Sequence, residues 1–360
     1  MSDPLPTGIS PSLPALPLGS ATGRDERLDL LRGLCVVGML FGHLGWRHFA
    51  VHVRVGFVGV AEGFFLLSGA TLGVIAARRR DASGERAFDR RLLRRAAWLF
   101  GVNLLGVAVY KLLTGPLFPP REIERLWRDT PPIWRWLSFD QPSVLNVLPR
   151  YALFLLLAPL ALAGLRRGRQ FGVAAGALAL WASNLLVSGA LTLPGFESTR
   201  ASYPSASWQL LFFGGMVAGH ALTTRWQRRL PGLVALAATA LVAACVVAAE
   251  LADYDALGAA ISRPLLGPLR MVNLVAVAIA SWWLVDRLRR SIAQATGWLL
   301  LPYGRNALPA FVLHIPLVWA LLAVPVVASN DDLRKPVAAA FVLALLPVIR
   351  LPVVRRWLAP

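Results

Sequence analysis

A run of mostly apolar residues near the start of the chain carries ionisable side chains where a lipid bilayer accepts them poorly. Residues 27–43 read RLDLLRGLCVVGMLFGH and include Asp29, Arg32 and His43. On an α-helix, Arg32 and His43 lie within roughly 20° of each other and about 16 Å apart along the axis, with Asp29 one turn before Arg32. A charged group at the centre of a bilayer costs roughly 2.5–3.5 kcal/mol on insertion scales. This stripe therefore predicts a functional site inside a membrane.

The composition of the chain also indicates an integral membrane protein. Hydrophobic residues make up 56% of the 360 positions, compared with roughly 45–50% in a soluble domain, and the mean hydropathy is +0.58. The net charge of +18 would favour nucleic-acid binding in a soluble protein, but here the arginines cluster between apolar runs, so we expect no nucleic-acid partner. Cys35 and Cys245 each lie inside an apolar run, and two such cysteines predict neither a disulfide framework nor a metal site.

Apolar segments of the length that a transmembrane helix needs follow one another along the chain. We place ten of them, at 28–46, 56–77, 96–114, 147–165, 171–192, 208–224, 231–250, 269–286, 306–328 and 336–354. Residues 1–23 are rich in Pro, Ser and Gly and lack the basic region of a signal peptide, so we expect a flexible cytoplasmic tail. The predicted fold is all-α, a polytopic bundle of about ten transmembrane helices that forms one membrane-embedded domain over 24–360.

Basic residues are distributed unevenly between the two sets of connections. Residues 78–95 (RRRDASGERAFDRRLLRR) hold eight arginines, and 21 basic residues lie on that side when Arg305 at the boundary is left out. The connections on the other side hold 10. The positive-inside rule then places both termini in the cytoplasm and favours an even number of spans, as in a multi-pass protein of the inner membrane.

The longest connection on the outer side, 115–146, contains Trp127, Trp134 and Trp136. Tryptophans in such a loop favour anchoring at the membrane interface, and a sugar-stacking platform is the alternative. We also expect a short interfacial helix near 121–128.

The second apolar segment adds a carboxylate to the region of His43. Glu62, in GFVGVAEGFFLLSG, lies about six residues from the outer end of its segment, and His43 lies about three residues from the outer end of the first. The two side chains can therefore meet at similar depth. A carboxylate that fixes the tautomer of a histidine is the arrangement a general base needs. A purely structural His–Glu pair is the alternative.

Arg91 and Arg94, in RRLLRR, lie at the cytoplasmic start of the third segment. Their guanidinium groups match phosphate oxygens bidentately, which predicts a phosphate clamp for a cytoplasmic nucleotide-bearing donor. The alternative is that they serve membrane topology alone. The glycines of GFVGVAEG lie within a span and lack the Lys and Ser/Thr of a phosphate-binding loop.

Polar residues also occur in the later segments. In YGRNALPAFVLHIPLVW, Asn306 and His314 share one helix face, Arg305 lies at the cytoplasmic boundary, and Asn306 is a candidate N-cap. Trp208 and Gln209 enter the sixth segment from the outer side. Gln209 in hydrocarbon should hydrogen-bond another helix or line a cavity.

Together these residues resemble a known group of membrane enzymes. Arg32 to His43, Phe64–Gly69 (FFLLSG) and the RxxR of Arg91 and Arg94 are similar to the acyltransferase-3 superfamily of O-acyltransferases. Within it, several stretches in order along the chain resemble the OpgC family, which succinylates osmoregulated periplasmic glucans. These stretches are RLDLLRG at 27–33, AEGFFLLSG at 61–69, NVLPRYALFLLLAPL at 146–160, WQLLFFGGMVAG at 208–219 and YGRNALPAFVLHIPL at 303–317. Arg150 departs from the apolar residue expected before Tyr151, and we expect it at the outer interface.

The resemblance implies a ten-helix bundle, a cytoplasmic acyl-CoA donor, namely succinyl-CoA or acetyl-CoA, and a glucan or other polysaccharide hydroxyl as acceptor. It implies a catalytic role for His43, with Arg32, Arg91 and Arg94 around the donor. On the basis of this resemblance we assign Glu62 and Asp29 to the catalytic set, and Ser68 and Arg305 to the donor site. We assign the remaining candidates to acceptor binding and support, namely Asn306, His314, Trp208, Gln209 and Tyr151. A succinyl carboxylate would need a cation near the transfer site, for which Arg47, Arg54 and Arg150 are outer-side candidates.

Other functional classes stay open at this point. A transporter or flippase for glycan or lipid could use Glu62, His43 and His314 as a proton relay. An inactive membrane scaffold is a further possibility. An enzyme of the same chemistry could also transfer acetyl groups to a different surface polysaccharide.

Overall fold

The computed structural model describes residues 25–44, 55–78, 82–113, 137, 139, 141, 143–194, 196–197, 203–224, 230–251, 254–324, 326–327 and 330–354. These residues form α-helices, one 3₁₀ turn and one isolated bridge between Val55 and Val58, with no sheet among them. The helices are α1 (Glu26–His43), α2 (Val60–Arg78), α3 (Ala82–Leu113), α4 (Val147–Arg166), α5 (Gln170–Leu186), α6 (Ser205–Thr224), α7 (Gly232–Leu251), α8 (Tyr254–Ile261), α9 (Pro268–Arg305), α10 (Ala307–Leu322) and α11 (Asp331–Val348).

Several helices have the dimensions of membrane spans. Five described stretches are long and apolar enough to cross a bilayer, namely Val60–Arg78, Gly84–Tyr110, Val144–Arg166, Gly232–Leu251 and Pro268–Arg305. Gln170–Leu186 and Ala307–Leu321 are shorter apolar helices. The chain is therefore an all-α membrane protein, as its composition predicts.

Each predicted segment coincides with a helix, but two predicted connections were placed wrongly. Most of 78–95 is helical, because α3 begins at Ala82. Arg166 of α4 ties this charged end of α3 to the bundle through Asp89 (2.8 Å) and Glu85 (3.6 Å). Likewise, α9 continues through the arginines at 287–290, with one non-helical residue at Leu288.

A close contact joins α2 and α6 through facing glycines. A Cβ atom on Gly69 would overlap the carbonyl oxygen of Phe212, and one on Gly73 would overlap that of Met216. Gly215 of α6 meets the backbone of α2 in the same way. Small residues spaced four apart let two helix backbones approach this closely inside a membrane. The glycines of the FFLLSG and GGMVAG motifs therefore position α2 against α6.

Some expectations concern residues outside the described ranges. They are the tail 1–23, the tryptophans 127, 134 and 136, the helix expected near 121–128, and the outer arginines Arg47 and Arg54.

Candidate functional site

Two histidines predicted separately form one pair. Nδ1 of His43, in the last turn of α1, lies 2.8 Å from Nε2 of His314 in α10. Their rings are nearly parallel, with an interplanar angle of 17° and centroids 5.0 Å apart. His314 is fully buried, whereas His43 is partly exposed. The pair therefore has a buried member and a member that can meet a substrate.

The hydrogen bonds of the pair determine its tautomers. Nδ1 of His314 contacts the carbonyl oxygen of Phe311, which can only accept a hydrogen bond, so Nδ1 carries the proton. Nε2 of neutral His314 is then an acceptor, and Nδ1 of His43 must donate to it. Nε2 of His43 is left with its lone pair, and no described residue donates to it. This is the protonation state of a general base.

Aromatic side chains surround the pair and extend from it into the bundle. Phe311 lies edge-on to His43 (6.5 Å between centroids) and stacks on Phe64 (6.0 Å). Phe64 contacts Tyr151 of α4 at 5.8 Å. Through Phe65 the cluster reaches Trp208, at ring distances of 6.2 and 5.5 Å. The predicted support residues Tyr151 and Trp208 therefore belong to the wall around the histidines.

Glu62 does not orient His43, contrary to the pairing expected from depth alone. Its carboxylate accepts a hydrogen bond from Nη1 of Arg270 at 2.8 Å, at the first turn of α9, and Glu62 is fully buried. The position of a residue along its helix gives its depth. It does not give the direction in which the side chain points around that helix. His43 faces α10, and Glu62 faces α9.

The other end of the stripe is a polar junction of three helices. Arg32 donates to the carbonyl oxygen of Gly304 (2.7 Å from Nε), to Asp29 (3.1 Å) and to Thr71 of α2 (3.4 Å). Arg305 lies 3.6 Å from Asp29 and 3.6 Å from Glu26. Asp29 and Arg32 thus hold α1 against the end of α9, which is a structural use of two residues predicted to act in chemistry and donor binding.

The same end of α1 is capped by an ion pair. Asp25 accepts hydrogen bonds from the backbone and the guanidinium of Arg27, which also contacts Asp286 at 2.6 Å. Burial alone would raise the pKa of the Asp25 carboxyl, but the hydrogen bonds and charge of Arg27 outweigh burial and lower this pKa. Asp25 therefore stays ionised at neutral pH and fixes the start of α1.

Between its two ends, the stripe on α1 is apolar. Val36 and Met39 lie on the face that joins Arg32 to His43, and both are buried in the main core. A ligand that follows this face has to displace the flexible Met39 side chain or pass beside it.

The two arginines of the predicted clamp project away from the core. Arg91 and Arg94 are exposed on α3, while Leu92 between them is buried. Nε of Arg95 is buried, and no described residue hydrogen-bonds to it. Arg91 and Arg94 are thus accessible to a ligand.

Three other predicted residues stabilise helix contacts. Gln209 donates to the carbonyl oxygen of Ala177 in α5 at 2.7 Å, which is the helix-to-helix hydrogen bond expected for it. Asn306 occupies the N-cap position of α10 but makes no capping bond there, and its amide donates to Pro302 at 2.8 Å instead. Ser68 is buried beside Gly69 at the α2–α6 contact.

Arg150, expected at the outer interface, lies in the first turn of α4 with its side chain enclosed by protein. It is fully buried, lies 3.4 Å from the equally buried Glu197, and donates to the carbonyl oxygens of Phe139 (2.6 Å) and Asn146 (2.8 Å). Glu197 compensates the charge that would otherwise exclude an arginine from this position. Arg150 therefore braces the loop ahead of α4 and is not a cation offered to a substrate.

Sequence reasoning missed Arg270 and Arg263. Arg270 lies inside a predicted span, next to its outer end. An arginine inside a span needs a buried carboxylate partner, and this is the signal that could have revealed its pairing. Arg263 lies in a predicted connection, where an arginine carries no such signal.

Among the described residues, no three His, Cys, Asp or Glu side chains come together as a metal-binding cluster.

The apolar helices and the histidine pair inside them define a class: an integral membrane protein with a candidate acid–base centre. The family follows from comparison with family models, because the family described as OpgC protein matches residues 24–356. The chain therefore belongs to the OpgC family, which indicates a transferase that acylates glucans. The comparisons with curated proteins and with solved structures gave no match.

Proposed function

We propose that the protein is an acyl-CoA-dependent O-acyltransferase of the inner membrane. It moves an acyl group, succinyl in the first instance, from a cytoplasmic donor to a hydroxyl of a periplasmic glucan. Ten helices cross the membrane in this proposal, and both termini are cytoplasmic. The observation that carries it is the contact of Nδ1 of His43 with His314, which leaves Nε2 of His43 as an acceptor with no donor among the described residues.

The reaction needs one base and no covalent enzyme intermediate. The acceptor hydroxyl oxygen attacks the thioester carbonyl carbon while its proton passes to Nε2 of His43. The carbon–sulfur bond then breaks, and the imidazolium returns the proton to the departing CoA sulfur. The products are the glucan ester and free CoA, and His43 regains its starting tautomer.

A histidine partner suits this location better than a carboxylate. An ionised carboxylate inside the bundle carries a large desolvation cost unless it is paired. The neutral His43–His314 pair avoids that cost in the resting state, and the proton that His43 accepts is held only while the intermediate exists. His314 and the Phe311 carbonyl stabilise the imidazolium through the hydrogen bond to Nδ1.

The donor approaches from the cytoplasmic end in this proposal. Its phosphates bind the exposed Arg91 and Arg94, and its extended arm runs toward His43 past Met39. The basic connections on that side attract a polyanionic donor. Asp29, Arg32 and Arg305 set the geometry of this end through the α1–α9 junction.

The direct test uses purified protein in proteoliposomes with a panel of acyl-CoAs and a glucan oligosaccharide, with mass spectrometry of the glucan. Wild type should acylate the glucan, and His43→Ala should abolish transfer while the protein stays inserted. His220→Ala is the matched histidine control. His220 lies near the carboxyl end of α6, outside the histidine pair, so this variant should keep its activity. Acylation by His43→Ala at the wild-type rate would refute the assignment. Proton-coupled flux without any acyl donor would instead favour a transporter.

A further inference from the structure

The short connection between α8 and α9, residues 262–267, is held by several side chains from other helices. The indole of Trp181 in α5 donates to the carbonyl oxygens of Leu265 and Leu266, at 3.1 and 3.0 Å. The indole of Trp208 donates to Pro264 at 3.1 Å. This connection is defined here as the 262–267 loop.

The loop is also fixed from within and from α9. Gly267 donates to the carbonyl oxygen of Ser262 at 2.9 Å, and Leu266 is fully buried beneath the loop with φ of 54°. Nε of Arg270 donates to the carbonyl oxygen of Ile261 at 2.9 Å, just before the loop. Because α5 and α6 satisfy three of its carbonyl groups and α9 satisfies the carbonyl group just before it, the 262–267 loop is a rigid element.

One exposed cation stands on this rigid element. Arg263 donates to the hydroxyl of Tyr203 at 3.0 Å, and its guanidinium lies 5.2 Å from the Tyr203 ring centroid. No carboxylate of the described residues pairs with it, whereas Arg150 and Arg270 both have buried carboxylate partners. Tyr203 is itself packed edge-on against Trp208, at 4.6 Å. Arg263 is therefore a positioned positive charge without a counter-ion among these residues.

Arg263 is also near the histidine pair. Tyr203 and Trp208 connect it to the aromatic wall through Phe65. Its charge is close enough to act on the imidazole of His43.

We infer that Arg263 binds the distal carboxylate of a dicarboxylic acyl group and so selects that group over neutral acyl chains. This inference rests on the proposed function. A guanidinium binds a carboxylate through two parallel hydrogen bonds, and the Tyr203 ring below leaves its outer edge accessible. The bound carboxylate supplies the counter-ion that Arg263 lacks among the described residues.

The experiment compares two donors that differ only at the far end of the acyl chain, succinyl-CoA and butyryl-CoA, with a neutral glucan oligosaccharide as acceptor. Arg263→Gln should lower kcat/KM for succinyl-CoA about 10- to 100-fold, mainly through KM, and change that for butyryl-CoA less than about twofold. Arg263→Lys should recover part of the loss. Tyr203→Phe, which keeps the ring and removes the hydroxyl, should give a smaller loss that is also confined to succinyl-CoA.

Lys335→Gln is the control, since Lys335 is a cation that is already paired, with Asp332 at 3.2 Å. It should change neither donor. Equal losses with both donors in Arg263→Gln, or no loss with either, would overturn the inference while the acyltransferase assignment stands. A wild type that prefers butyryl-CoA would overturn it as well. A wild type that uses no acyl-CoA would refute the proposed function, and the role of Arg263 with it.

Discussion

At the scale of single residues, the site combines a fixed tautomer with a neutral resting state. His314 is buried and receives the Nδ1 proton of His43, while its own Nδ1 proton goes to a backbone carbonyl. The carbonyl oxygen at the end of this series of hydrogen bonds can only accept. Each ring nitrogen in the series is therefore fixed as either a donor or an acceptor. The direction of the hydrogen bonds, rather than a nearby charge, makes His43 a base.

We predict that His314 acts through its acceptor atom. His314→Phe keeps the ring volume but leaves the Nδ1–H group of His43 without a partner, and it should lower kcat about 10²-fold or more with little change in KM. His314→Gln supplies an amide oxygen near the position of Nε2 and should retain activity within about tenfold of wild type. Steady-state kinetics of both variants, with thermal unfolding in detergent as a folding check, measure this.

The pH profile separates positioning from folding. A variant that merely loosens the fold scales the rate at every pH, whereas loss of the acceptor shifts the pH at which His43 becomes active. Equal kcat values for His314→Phe and His314→Gln would contradict the role given to His314.

The cost of burying charge explains which site residues the sequence predicts and which it does not. Asp29, Arg32, His43 and His314 attract attention because ionisable groups in apolar segments are costly. Their partners were harder to find. Glu62 was assigned to His43 by depth, but it pairs with Arg270, some 208 positions away along the chain. Depth follows from counting residues along a helix, whereas pairing depends on how the helices are rotated against one another.

At the scale of helices, the apolar period predicts where each one lies but not where it ends. Residues 82–95 of α3 and the arginines at 287–290 of α9 are charged and were assigned to connections, yet both are helical. Arg, Glu and Ala favour helix, and salt bridges such as Arg166 to Asp89 support helix that extends beyond the apolar part. Hydropathy indicates burial in lipid and does not detect charged helical extensions of this kind.

The glycine contact between α2 and α6 gives a prediction at this scale. Gly69→Ala places a methyl group against the Phe212 carbonyl, so the helices must separate, and we expect a loss of about 1–3 kcal/mol in unfolding free energy. The matched control is Gly101→Ala in α3, where a Cβ atom meets no atom within 4 Å. It should be neutral or stabilising by up to about 1 kcal/mol. Unfolding in detergent measures both, and equal stabilities would contradict this account of the motif.

At the scale of the whole molecule, the stripe that first marked α1 is divided between two tasks. Its amino-terminal end is a structural junction, where Arg32 donates a hydrogen bond to Gly304 and Asp29 forms an ion pair with Arg305, and its other end carries the candidate base. Buried apolar side chains separate the two ends. The phosphates of the proposed donor therefore need binding groups other than Arg32, whose hydrogen bonds already hold three helices together. The exposed Arg91 and Arg94 of α3 take that part in the proposed function.

This division leads to a prediction about donor binding. The double variant Arg91→Gln with Arg94→Gln should raise the Kd for acyl-CoA at least about tenfold, because each charge-assisted hydrogen bond to phosphate contributes about 1.5–3 kcal/mol. Its kcat at saturating donor should stay near wild type, since neither arginine approaches His43 in the proposed path. Arg289→Gln with Arg290→Gln, from the basic cluster in α9, removes the same charge elsewhere and should leave Kd within about twofold. If the two double variants raise Kd equally, the arginines act only through overall charge and not as a clamp. If the double variant at Arg91 and Arg94 leaves Kd unchanged, the donor binds elsewhere.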